Sequence, residues 1–88
     1  MKTAFKETFL KSVSKIKDTH LKQDIISAIA DVEAAEDLKS ISNLKKLHGP
    51  GKYYRIKIKE YRIGLKFTSR TLYFVDIAHR KDIYKHFP

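Results

Sequence analysis

Between Tyr53 and Tyr84 the chain reads YYRIKIKEYRIGLKFTSRTLYFVDIAHRKDIY. Arg55, Lys57 and Lys59 fall at every second position, and Arg62 and Lys66 follow in the next run. Residues two apart on a strand share a face, so these cations line up once the segment is extended. Guanidinium and ammonium groups in such a row hold phosphate oxygens and stabilise charge that builds on a phosphoryl centre under attack. Tyr53 lies just before the row and could stack a base or merely cover the sheet edge. Arg80, Tyr84 and His86 follow the last run and add a cation, a phenol and an imidazole. The expected ligand of this face is a polyanion, with RNA foremost.

The elements that would position these groups follow from hydrophobic periodicity. Tyr54, Ile56 and Ile58 point one way in the first strand, while Tyr53, Arg55, Lys57 and Lys59 point the other. Lys59-Glu60 reads as a tight joint. In the second strand Tyr61, Ile63, Leu65 and Phe67 oppose Arg62, Gly64, Lys66 and Thr68. Pairing the apolar faces gathers Arg55, Lys57, Arg62 and Lys66 on the open side. Leu72 to Ala78 is apolar on both faces, which suits a central strand. Its one charge, Asp76, needs a partner when half-buried, and the neighbouring arginines are the candidates.

The first half must cover the sheet. Residues 1–6 could form an edge strand. Glu7 to Lys17 carries Phe9, Leu10, Val13 and Ile16 at helical spacing. Asp18 is the next N-cap, and Leu21, Ile25, Ile29 and Val32 then mark a helix to about Ala35. Two helices joined so briefly predict a hairpin with one apolar side. Asp37 can cap a short helical stretch from Leu38 to Leu44, Leu47 is expected in the core, and Gly49-Pro50-Gly51 is turn chemistry. The tail after His79 could make one helical turn anchored by Ile83 and Phe87. Together these readings predict an α+β fold, an N-terminal helical hairpin packed on a small, mainly antiparallel sheet, and one domain over residues 1–88.

Charge supports the assignment of the face. Residues 1–37 hold six lysines against seven acids, a balance of −1, while residues 38–88 hold thirteen Lys or Arg against three acids, a balance of +10. These sum to the net +9 of the chain. A surplus confined to the sheet half points to a polyanion or an acidic protein as partner. The chain has no cysteine, so neither disulfides nor a thiolate zinc site supports the fold, which suits a reducing cytoplasm. No apolar run is long enough for a membrane span, and no signal-peptide pattern follows Met1. The four histidines are scattered without ligand spacing, so no metal site or cofactor is expected.

Four stretches carry a resemblance. Asn43-Leu44-Lys45-Lys46-Leu47-His48-Gly49, then Tyr54-Arg55-Ile56-Lys57, then Tyr61-Arg62-Ile63-Gly64, then His79-Arg80-Lys81-Asp82-Ile83-Tyr84 with terminal Phe87-Pro88, in this order and after a helical hairpin, resemble the RelE/ParE toxin superfamily. These are the small toxins of type II toxin–antitoxin pairs. RelE-like members cut messenger RNA in the ribosomal A site without a metal, whereas ParE-like members inhibit DNA gyrase. Both are silenced by a cognate antitoxin that wraps the toxin. The resemblance therefore implies a cytoplasmic endoribonuclease whose partners are the ribosome, mRNA and an acidic antitoxin in a hetero-oligomer. A ParE-like gyrase inhibitor without nuclease chemistry is the alternative.

Cleavage of this kind uses the 2′-hydroxyl as nucleophile on the adjacent phosphate. It needs a base, cations around the phosphorane and an acid for the leaving oxygen. By resemblance, Arg55 and Lys57 match basic positions of the first meander strand, Arg62 matches a phosphate-binding arginine, Arg80 a second clamp, and Tyr84 a tail tyrosine that stacks or assists proton transfer. The best-studied branch has lysine at the position of Arg55, and arginine is a poor proton acceptor. That leaves Lys57 as the candidate base. Other branches carry a C-terminal histidine as acid or base, a role His86 could fill. Structural readings stand beside these: Arg62 bracing the sheet through Asp76 or Glu60, Tyr84 capping the core beside Ile83, His86 as a solvated tail residue, and His79 as a structural one.

Overall fold

The computed structural model describes residues 1–88. In order the chain forms β1 (Lys2–Phe5), α1 (Glu7–Ser14), α2 (Thr19–Ala34), a 3-10 turn (Leu38–Ser40), β2 (Leu44–Lys46), β3 (Tyr53–Ile58), β4 (Tyr61–Thr68), β5 (Thr71–His79) and a second 3-10 turn (Ile83–Lys85). The sheet order is β1-β5-β4-β3-β2. β1 runs parallel to β5, and all other neighbours are antiparallel. The expected architecture, two N-terminal helices packed on a small, mainly antiparallel sheet, is therefore present.

The apolar set read from the sequence packs between helices and sheet. Phe9 of α1, Leu21, Ile25 and Val32 of α2, and Ile56, Ile58, Ile63, Leu65, Leu72, Phe74 and Ile77 of the sheet are buried together. Burying side chains of this size removes about 1.5–3 kcal/mol each of unfavourable apolar hydration. Phe5, Phe9 and Phe74 form an aromatic cluster where β1 hands over to α1. α1 lies along β5: the Thr8 hydroxyl donates to the Val75 carbonyl, and the Ser12 hydroxyl donates to Asp76 at 2.6 Å.

α2 starts as the sequence predicts, with the Leu21 N–H donating to the Asp18 side chain at 3.1 Å. It runs the length of the sheet. Asp24 meets Lys59 near one end, and at the other the Met1 ammonium donates to the Ala35 carbonyl at 2.7 Å. α1 ends at Ser14, earlier than the expected Lys17, because the Ser14 hydroxyl donates to the Lys11 carbonyl and so competes for the last turn.

The connection differs from its prediction. Asp37 caps only a 3-10 turn, and Asn43 adopts a positive φ of 64° that no helix tolerates. Leu44 then enters a strand and pairs with Ile56. Leu47 is half-buried rather than in the core; its N–H donates to the Tyr53 carbonyl at 2.8 Å and extends the β2–β3 ladder.

Candidate functional site

β3 and β4 set the site by their register. Lys57 stands directly opposite Arg62, Arg55 opposite Gly64, and Tyr53 opposite Lys66. Opposed residues of an antiparallel pair share a face with Cβ atoms roughly 4.5–5.5 Å apart. The face therefore carries three transverse rows, and Arg55, Lys57, Arg62, Lys66 and Tyr53 all lie on it as read from the sequence.

β2 adds a member that the sequence reading missed. Lys45 pairs with Arg55, so it joins the middle row. The available signal was Gly49-Pro50-Gly51 in front of a strand, a turn that calls for a partner arm before it. Two like-charged cross-strand pairs, Lys45/Arg55 and Lys57/Arg62, thus lie side by side. Like charges directly opposed are destabilising in a sheet. The three ion pairs of the protein are Lys59–Asp24, Arg80–Glu60 and Lys85–Asp82, and none of them neutralises these four cations.

Lys59 does not belong to the face. It occupies the two-residue β3–β4 turn with φ of 51°, which rotates its side chain out of strand alternation. Its ammonium lies 3.2 Å from Asp24 of α2, on the helical side of the sheet. The alternation argument fails here because the strand ends at Ile58.

Arg62 is oriented by the same turn. Its Nη1 donates to the carbonyls of Lys59 and Tyr61, each at 2.9 Å. Neither Asp76 nor Glu60 is its partner. Arginine carries five donors, and the remaining guanidinium N–H groups have no hydrogen-bond partner in the protein. Asp76 does not pair with an arginine either. A bulge places Gly64 opposite Asp76 but Leu65 opposite Phe74, leaving Val75 as the extra residue. The Asp76 carboxylate accepts from Ser12 and from the Ile77 N–H at 2.8 Å, so it ties α1 to the bulge.

Arg80 sits at the same end of the sheet, where its N–H donates to the Glu60 carbonyl at 2.7 Å and its Nε pairs with the Glu60 carboxylate. Arg62 and Arg80 therefore both hold the Lys59–Glu60 turn. Arg80 is exposed and arrives with its charge already paired.

The face is not fully open. The tail folds back over it, with Ile83 and Phe87 almost completely buried outside the main core. A Cβ placed on Gly64 would come within 2.7 Å of the Phe87 ring, which explains a glycine in the middle of this strand. Phe87 also meets Tyr53 edge-on at 5.5 Å. Tyr84 and His86, on the other side of the tail, stay exposed, Tyr84 at 52%. The tail thus lies on the cationic face with a phenol and an imidazole turned to solvent. His79 is half-buried, packs edge-on against Tyr61 and accepts from the Lys81 N–H through Nδ1, a structural arrangement.

No helix is long and apolar enough to cross a membrane. No family model matches the chain. Toxin RelE3 of Methanocaldococcus jannaschii is 34% identical over 89 aligned positions, covering 100% of both chains. The crystal structure of a RelB–RelE antitoxin–toxin complex from Methanococcus jannaschii contains a chain that superposes with a TM-score of 0.79 at 32% identity, covering 96% of this chain and 98% of that one. The intact RelBE toxin–antitoxin complex of E. coli gives a TM-score of 0.68 at 18% identity, over 89% and 94% of the two chains, a likeness of fold.

Proposed function

Since the chain belongs to the RelE toxin family, we propose that it is the toxin of a type II toxin–antitoxin system and acts as a ribosome-dependent, metal-independent mRNA endonuclease. The observation that carries this reading is the pair of opposed cation pairs, Lys45/Arg55 and Lys57/Arg62, without acidic partners. A sheet gains nothing in stability from them. A phosphodiester brought over the face would supply the missing counter-charge, and more so as the phosphorane forms.

In this mechanism the 2′-oxygen attacks the adjacent phosphorus and gives its proton to Lys57, which acts as the base. Arg62, already aimed by the turn carbonyls, donates its free N–H groups to the phosphorane oxygens, with Arg55 beside it. As the bond from phosphorus to the 5′-oxygen breaks, that oxygen takes a proton from the solvent-facing tail, where His86 and Tyr84 are the available groups. Arg80 joins only by exchanging Glu60 for phosphate. Tyr53 and Lys66 bind the RNA away from the reacting atoms.

The solved relatives are antitoxin–toxin complexes. By that likeness we assign to this chain a cognate antitoxin, acidic where it meets the +10 half of the chain. Ribosome-programmed primer extension tests the activity. Cleavage at A-site codons that falls by a factor of about 100–1,000 in Arg62→Ala is expected from the loss of one transition-state donor. Absence of cleavage together with inhibited gyrase supercoiling would overturn the reading.

A further inference from the structure

The third transverse row of the face is built differently from the other two. Tyr53 of β3, Lys66 of β4 and Tyr73 of β5 stand opposite one another, aromatic and cation alternating across three strands. Lys66 Nζ lies 5.5 Å from the centre of the Tyr53 ring, and Lys6 Nζ lies 4.8 Å from the centre of the Tyr73 ring. Both tyrosines are half-buried at the sheet surface, outside the main core's buried set. Beyond the row, at the end of the sheet, Lys66 lines a groove with Lys52, Arg70 and the Ser69 turn, and no acid lines it.

We propose that this row is a stacking subsite for a base of the RNA strand flanking the cleaved phosphate, with the Lys52–Lys66–Arg70 groove taking the flanking phosphate. The inference rests on the RNA-directed reading of the face and adds Tyr73, Lys6, Lys52 and Arg70 to it. Tyr53 lies four residues from Lys57, roughly 13 Å along the strand at ~3.3 Å per residue. That separation suits a neighbouring nucleotide rather than the one cleaved. Phe87 occupies the face between the two rows and is packed against Tyr53, so the strand must cross the tail to reach both. Ammonium–ring contacts at an exposed site are worth about 0.5–1 kcal/mol. An arriving base can therefore displace each ammonium from its ring, and the freed cation then turns to the phosphate. Stacking accepts any base, so the subsite adds affinity without choosing sequence.

The test compares binding of uncleavable 2′-O-methyl oligoribonucleotides, a trinucleotide and hexanucleotides extended on either flank, by fluorescence anisotropy on the purified chain. A hexanucleotide should bind more tightly than the trinucleotide. Tyr73→Ala should weaken it by about tenfold, the loss of one base–aromatic stack. Tyr73→Phe should bind as the native chain does, and the trinucleotide should not distinguish the variants. Lys52→Gln and Arg70→Gln should each lower the salt dependence of hexanucleotide binding by about 0.7 in log–log slope. Equal weakening by Tyr73→Phe and Tyr73→Ala, or hexanucleotide binding that ignores both, overturns the subsite. So does a Tyr73→Ala variant that loses only its antitoxin. Because the oligomers are uncleavable, Tyr73-dependent binding without ribosomal cleavage would sink the nuclease and leave the subsite standing; the converse result would do the reverse.

Discussion

Lys57 faces Arg62 across the β3–β4 hairpin, a directly opposed pair of like charges beside a second such pair, Lys45 and Arg55. Repulsion of this kind costs about 0.2–1 kcal/mol per pair. Lys57→Met, which keeps the aliphatic stem, is expected to abolish RNA cleavage and yet raise the urea midpoint at unchanged slope. A variant that loses both activity and stability would show that Lys57 braces the sheet.

Gly64 and Phe87 should behave as one unit. A methyl group on Gly64 meets the Phe87 ring at 2.7 Å, so Gly64→Ala has to push the tail off the face. The expected cost is about 1–3 kcal/mol, as for overpacking elsewhere. Amide exchange at residues 83–87 should accelerate while exchange in β5 is unchanged. In Phe87→Ala the same methyl should be nearly neutral, a coupling that a double-mutant cycle reads directly.

Lys59 serves as a control among the cations. Its ammonium is engaged by Asp24 on the helical side, and both side chains are well exposed. Lys59→Ala should leave cleavage and RNA binding at the native level, with stability changed by less than about 1 kcal/mol. A large loss of binding would place Lys59 back on the cationic face.

Glu60 holds the Arg80 side chain through its carboxylate. Glu60→Gln removes the carboxylate but keeps the backbone bond from the Arg80 N–H to the turn carbonyl. If Arg80 turns to phosphate, RNA affinity should rise, by no more than about fivefold given the ~1 kcal/mol ceiling of an exposed pair. Titration of the uncleavable hexanucleotide checks this, and unchanged affinity would leave Arg80 as a turn clamp.

Much of this arrangement was legible because period-two alternation in β3 and β4 is unbroken. Ile56, Ile58, Ile63 and Leu65 could go only to the core, and that forced Arg55, Lys57, Arg62 and Lys66 to the other side. β2 was illegible because three residues, Leu-Lys-Lys, carry no pattern of their own, and its place is dictated by the β3 edge it joins. Lys45 was lost with it. Alternation also misplaced Lys59, where a positive-φ turn resets the side-chain direction. Asp76 escaped because its partner, Ser12, is 64 residues away and meets it only through a bulge. The glycine of Tyr61-Arg62-Ile63-Gly64 was visible as a motif, but its reason is the ring of Phe87, a contact between distant stretches.

The parallel pairing of β1 with β5 also sets an order of assembly. Lys2 pairs with Thr71 and Phe5 with Phe74, so the first strand of the chain has no sheet to join until nearly the last strand exists. Contacts so distant in sequence form late and slowly. In chain order the β3–β4 hairpin with its opposed cations (Tyr53–Thr68) directly precedes β5 (Thr71–His79), the strand that joins it to β1 and α1. A growing chain therefore carries the cationic hairpin before it carries the strand that ties it to β1 and α1. Whatever this face does as a folded surface, it can do only after translation has passed His79.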